Sequence, residues 1–261
     1  MNTLVAEFRK LVALPSTLVA IGITLVCSLG ITVLNVSQIH AKLASGNTDS
    51  MVNTNLVNTV FTGPSTGVIG VIVLGVVIVS SEYTANTSDA GGGRQIVTSL
   101  TCVPRRGQLL AAKGFVLVVV SGALGAVLVP VTILVSRAIL GQYARPLDQT
   151  IDNVGGRMVA GIVGYWICAA LITFSITVLA RHGTIPLIAF IANTSVVSID
   201  LLLAKFTPIG KFLPDVAGSQ MFSVNYPAPH MLSPAWGGTV MGLWTVGLLG
   251  VAATVFVRRD A

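Results

Sequence analysis

The chain has 261 residues, of which 53% are hydrophobic and only 9% charged, and its mean hydropathy is +0.87. Soluble domains hold about 25% charged residues, so this sequence lacks the polar side chains to coat a water-soluble globule of its length. The net charge of +6 does not describe a nucleic-acid surface, because the basic residues are scattered between apolar runs instead of forming a patch.

Residues 1–14 open the chain with an amphipathic pattern. Leu4, Phe8, Leu11 and Val12 fall at i, i+4, i+7 and i+8, with Glu7, Arg9 and Lys10 on the other side. Such a helix suits the membrane interface. Pro15 then allows a sharp turn into an apolar run that is too long for the core of a secretory signal.

A bilayer core of about 30 Å needs roughly 20 apolar residues in helical form. Six stretches meet or approach this, at 15–39, 62–81, 111–135, 156–179, 184–203 and 237–257. An all-α integral membrane fold with six spans follows, in one transmembrane domain covering 1–261. The fifth span is the least apolar, since it carries Pro186, Asn193 and Asp200. Pro130 is expected to kink the third. Small residues at Gly156, Ala160, Gly164 and Cys168 form a stripe on the fourth, of the kind that lets helix backbones approach in lipid.

The connections differ in character. Residues 82–110 run from Glu82-Tyr83 through Gly91-Gly92-Gly93 to Arg94, then place Ile96, Val97, Leu100 and Val103 at helical spacing before Pro104, Arg105 and Arg106. This reads as a short helix lying on the membrane surface, with an apolar stripe for a docked protein. Residues 204–236 include Phe206, Ile209, Phe212, Leu213, Met221 and Phe222, too apolar for a solvated linker. Short helices packed at the opposite membrane surface are expected there.

With both termini in the cytoplasm, nine Lys and Arg residues fall on the cytoplasmic side and six on the other, the last-named including Arg137, Arg145 and Arg157. That is the direction the positive-inside rule favours.

Catalytic motifs are missing. No phosphate-binding loop, His-Glu-x-x-His or Gly-x-Ser-x-Gly occurs, and Glu7 and Glu82 are the only glutamates. His40, His182 and His230 are isolated. Cys27, Cys102 and Cys168 show neither metal spacing nor a disulfide framework. Asp200, an acid placed within a span, is a candidate for the substrate path. An intramembrane enzyme is disfavoured; a membrane immunity or sensor protein docking a cytoplasmic partner is the alternative to a transporter.

Four places resemble the permease subunits of type-2 ATP-binding-cassette (ABC) transporters, the exporter-like class of bacteria. Glu7-Phe8-Arg9-Lys10-Leu11 with Pro15-Ser16-Thr17 resembles the family's elbow helix. Glu82-Tyr83 through Arg94, followed by Val103-Pro104-Arg105-Arg106-Gly107 and Leu110-Ala111-Ala112-Lys113, is similar to its coupling segment. Leu213-Pro214-Asp215-Val216-Ala217-Gly218 with Leu232-Ser233-Pro234 resembles its external segment, and Arg258-Arg259-Asp260-Ala261 its terminus. The Gly91-Gly92-Gly93 run departs from the family pattern.

The resemblance implies an antibiotic, peptide or lipid exporter in the plasma membrane. Two permease chains, identical or close paralogues, would pair with two cytoplasmic ATPases that hold ATP and magnesium; this chain would bind no cofactor. Glu82, Arg94, Ile96, Val97, Leu100, Val103, Arg105 and Arg106 would couple to the ATPase. Glu7, Phe8, Lys10 and Leu11 would form the elbow, and Asn193, Asp200, Phe212 and Leu213 would line the path or gate.

Overall fold

The computed structural model describes residues 3–46, 56–84, 96, 99, 101, 105–195, 207, 209–223 and 232–258, with backbone alone at 191–195. The helices are α1 (Thr3–Ala13), α2 (Pro15–Ala44), α3 (Leu56–Tyr83), α4 (Arg106–Leu140), α5 (Arg145–Ala180), α6 (Thr184–Ser195), α7 (Pro214–Gln220) and α8 (Pro234–Arg258). Four helical stretches are long and apolar enough to cross a membrane: α2, α3, α8 and the run Arg106–Ala180. That last run is folded back on itself. Gly141, at φ 52°, starts a 3-10 turn over Gly141–Ala144, and α4 and α5 pack against one another on either side of it.

The helices are inside-out relative to a soluble protein. On α2 the buried positions are Thr17, Ala20, Thr24, Ser28, Thr32, Val36 and Ile39, while Leu18, Val19, Leu25, Val26, Val33 and Leu34 are exposed. Ser28 has no exposure at all, whereas Val26 is 72% exposed. Only a lipid solvent makes that arrangement favourable, because in water the exposed apolar area would be a standing cost.

Two of the four hydroxyls are satisfied locally, while Thr17 Oγ1 and Ser28 Oγ are buried with no hydrogen-bond partner among the described residues. Thr24 Oγ1 donates to the Ala20 carbonyl at 3.0 Å and Thr32 Oγ1 to the Ser28 carbonyl at 2.7 Å. Against them lie Gly63, Gly67 and Gly70 of α3, where an added Cβ would overlap Thr32, Ser28 and Thr24 respectively. Among the described helices this hydroxyl-glycine seam is the most extensive pairing, and it rests on small residues as membrane packing requires. Trp166 of α5, fully buried, closes the centre by donating its indole N–H to the Pro64 carbonyl at 3.1 Å.

Several sequence expectations need correction. Residues 136–155, read as a connection between the third and fourth spans, are helical apart from the four-residue turn. At 35 and 36 residues, α4 and α5 are each about 50 Å long, against a bilayer core of about 30 Å. They continue because Leu140, Ala144 and Leu147 are buried beyond the apolar run, and because His40 of α2 meets Tyr143 edge-on at 5.7 Å. Of the fifth expected span, only the 12-residue α6 is described, and Asp200 lies outside the described residues.

The stripe on the fourth span is only half used. Gly156 and Ala160 are exposed, and the close approach occurs at Gly161 instead, where a Cβ would strike the Met221 backbone.

Candidate functional site: a buried charge cluster at the base of α3 and α4

Four charged side chains meet where α1 crosses the ends of α3 and α4. Lys113 Nζ of α4 donates to Glu7 Oε2 of α1 at 2.6 Å and to Glu82 Oε1 of α3 at 2.7 Å. Lys10 Nζ of α1 donates to the same Glu82 oxygen. Ser99 Oγ donates to the other carboxylate oxygen, Oε2, at 2.9 Å, and accepts from Lys10 at 3.4 Å. Glu7, Glu82 and Lys113 are each 6% exposed or less.

The chain places these groups by simple means. Glu82 is on the last turn of α3 and Lys113 on the second turn of α4, so both reach the end of the apolar layer. On α1, Glu7 and Leu11 are one turn apart on the inner face. Leu4, Val5, Phe8 and Val12 point outward, between 42% and 54% exposed. Both expected faces are therefore divided: Leu11 turns inward beside Glu7, away from Leu4, Phe8 and Val12, and Glu7 parts from the exposed Arg9. Glu7, expected among the solvated polar residues, is buried because Lys113 meets it there.

Electrically the cluster is balanced, with two carboxylates and two ammonium groups. A buried charge without a partner would cost several kcal/mol, whereas this set leaves none stranded. Beside it lies a small crevice lined by Val79, Glu82, Tyr83, Ile96, Leu109, Leu110, Lys113, Val178 and Phe256.

Of the residues anticipated from sequence, Glu7, Lys10 and Glu82 come together here, with Leu11 buried beside them. Phe8 faces outward. Ile96 is 4% exposed and faces the crevice, so its side chain is held within the chain rather than offered on a surface. Arg105 is exposed and Arg106 half-buried with a partner. Arg94, Val97, Leu100 and Val103 lie outside the described residues. Asn193 is on α6, with only its backbone described.

Phe212 and Leu213 belong to a second, distant arrangement. A 3-10 turn at Gly210–Phe212 leads into α7, which is wedged between α5 and α8. Tyr165 Oη of α5 donates to Asp215 Oδ1 at 2.6 Å, and Trp244 Nε1 of α8 donates to the Phe212 carbonyl at 2.8 Å. Gly218 packs on the Tyr165 ring and Gly237 on the Ala217 carbonyl, so neither position has room for a Cβ. Phe212 remains 45% exposed, with Lys211 Nζ 5.1 Å from its ring centroid.

Lys113, Ser99, Tyr165 and Asp215 are the polar residues that one-helix periodicity misses. The signal for the first was the scarcity of glutamate: two in the whole chain, both beside a span end.

With its inside-out helices and a charge cluster placed at the edge of the apolar layer, the chain is a multi-pass, all-α membrane-embedded protein. Comparison with protein-family models, with curated proteins and with solved structures finds no match to it.

Proposed function

We propose that the chain is the membrane-spanning permease subunit of an ABC exporter. The observation that carries this reading is the joining of Glu7, Lys10, Glu82, Lys113 and Ser99 in one buried cluster. Glu7 and Lys10 come from the stretch that resembles the elbow helix, and Glu82 and Lys113 from stretches that resemble the coupling segment, with Ser99 between those two. A force applied near Ser99 and Ile96 reaches the ends of α3 and α4 directly, through short ionic contacts in place of a flexible loop.

In this reading the cluster end faces the cytoplasm, both termini are cytoplasmic, and the protein resides in the plasma membrane. ATP and magnesium belong to separate ATPase subunits. A second permease chain completes the path, and the cargo is an antibiotic, peptide or lipid. Arg105, Arg106 and Leu100 offer the ATPase contact, while the buried Ile96 side chain is held within the bundle.

The test is purification of the tagged chain from its native membrane in a mild detergent. An ABC ATPase should co-purify, with vanadate-sensitive ATP hydrolysis, and Leu100→Asp should reduce both without preventing insertion. Recovery of the intact chain with no nucleotide-binding partner would turn the reading toward a non-transporting immunity or sensor protein.

A further inference from the structure

The charge cluster divides in an unusual way. α1 contributes one carboxylate, Glu7, and one ammonium group, Lys10. The bundle contributes one of each, Glu82 and Lys113, already in contact with one another at 2.7 Å. Removing α1 therefore strands no charge. Glu82 and Lys113 remain paired, with Ser99 still donating to Glu82 at 2.9 Å. Glu7 and Lys10 are three residues apart on one helix face, the spacing at which opposite charges pair with each other.

Little else holds α1 down from inside. Leu11, 1% exposed, is its one fully buried apolar side chain. Buried ion pairs add little net stability, because loss of hydration offsets their attraction. The outward face, by contrast, presents Leu4, Val5, Phe8 and Val12 to the bilayer interface. Arg9 is exposed, and Lys10 is the cluster residue closest to solvent, its side chain 22% exposed. An interface helix with basic residues at its edge binds anionic headgroups.

We infer that α1 is a detachable latch that exchanges between the ends of α3 and α4 and the membrane surface, and that anionic lipid headgroups draw it off by competing with Glu82 for Lys10. The exchange needs no proton: Glu82 and Lys113 stay paired in the bundle, Lys10 meets a headgroup phosphate, and Glu7 passes from the buried cluster into interfacial water. Lys10 is the residue that changes partner; Glu7 and Lys113 follow. This inference does not depend on the transporter reading.

The experiment uses the full chain in lipid nanodiscs, with the three natural cysteines replaced by alanine and Leu11→Cys introduced as a reporter. Discs of phosphatidylcholine alone are compared with discs containing phosphatidylglycerol. Thiol labelling of the reporter should be several-fold faster with the anionic lipid, and Lys10→Gln should abolish that difference. A second measurement leaves the buried face untouched: spin labels at the exposed positions Ala13 and Gln108 should move apart when phosphatidylglycerol is added. Equal labelling and unchanged spin-label distance in both lipids would overturn the proposal, as would a lipid effect that survives Lys10→Gln.

Discussion

Tyr165 and Asp215 meet at 2.6 Å across the boundary between a long membrane helix and the seven-residue α7. The phenol gives the half-buried carboxylate a donor. A hydrogen bond to a charged group contributes about 1.5–3 kcal/mol, at the lower end here because Asp215 is only half-buried. Tyr165→Phe should therefore loosen α7 while leaving α2 to α5 in place. Hydrogen exchange is expected to accelerate at Pro214–Gln220 and stay unchanged at the seam of α2 and α3; acceleration everywhere would mean that Tyr165 holds the whole bundle.

Lys113 is bonded to two buried carboxylates, so its loss is worse than that of one pair. Lys113→Ala leaves Glu7 without its cation and Glu82 with Lys10 alone, and breaking a buried pair this way costs about 3–5 kcal/mol. Thermal unfolding in nanodiscs should fall markedly for this variant. Removing the carboxylate as well, in Glu7→Gln with Lys113→Ala, should recover part of the loss. No recovery would show that Lys113 acts by packing and not by charge.

The hydroxyl-glycine seam predicts opposite outcomes for two similar substitutions. At Gly67 a new methyl would overlap Ser28 Oγ and press on Trp166, and overpacking of this kind costs about 1–3 kcal/mol. At Gly30, also in a helix, a Cβ meets nothing within 4 Å, and Ala is favoured over Gly in helices by about 1 kcal/mol. Gly67→Ala should destabilise the protein and Gly30→Ala should not. Comparable denaturation midpoints for both would count against the seam.

The length of α4 and α5 predicts where water reaches them. Counting about 20 residues from Lys113 brings α4 to the opposite membrane surface near Ile133, and the turn at Gly141–Ala144 lies beyond it. Gln149, exposed on α5, and Gln108, exposed at the start of α4, should sit on opposite sides. With the natural cysteines replaced, Gln149→Cys and Gln108→Cys should react with an impermeant thiol reagent from opposite faces of oriented vesicles. Reaction of both from one face would refute the hairpin.

Much of the helix framework was legible because bilayer thickness imposes a length on apolar runs, and α2, α3 and α8 obey it. The hairpin of α4 and α5 was not, since Arg137, Asp148, Asp152 and Arg157 lower the hydropathy in the same way whether the backbone is coiled or helical. What keeps it helical is the burial of Leu140 and Leu147; the Arg137–Asp148 ion pair also spans the turn, but with side chains 38% and 42% exposed it adds little. The charge cluster was partly visible, as Glu7, Lys10 and Glu82 drew attention within their own segments. Their meeting was hidden, because Glu7 finds Lys113 across 106 residues, a distance at which periodicity carries no information. The seam was readable in principle. Thr24, Ser28 and Thr32 repeat every four residues, and Gly63 and Gly67 share that spacing, but the regular run at Gly156, Ala160, Gly164 and Cys168 is the more conspicuous one.

The order in which the chain is made gives the cluster one more consequence. When α3 has just been completed, Glu7, Lys10 and Glu82 exist without Lys113, and together they carry one unbalanced negative charge. That end of the nascent bundle must stay hydrated until the second turn of α4 arrives. Lys113 then neutralises it, and the site closes over Glu7 and Glu82. A chain whose α4 enters the bilayer the wrong way round never receives that cation, and its two glutamates remain in water with α1 unseated. The same contacts that join the helix ends in the finished protein thus report, during synthesis, whether the third long helix has been threaded correctly.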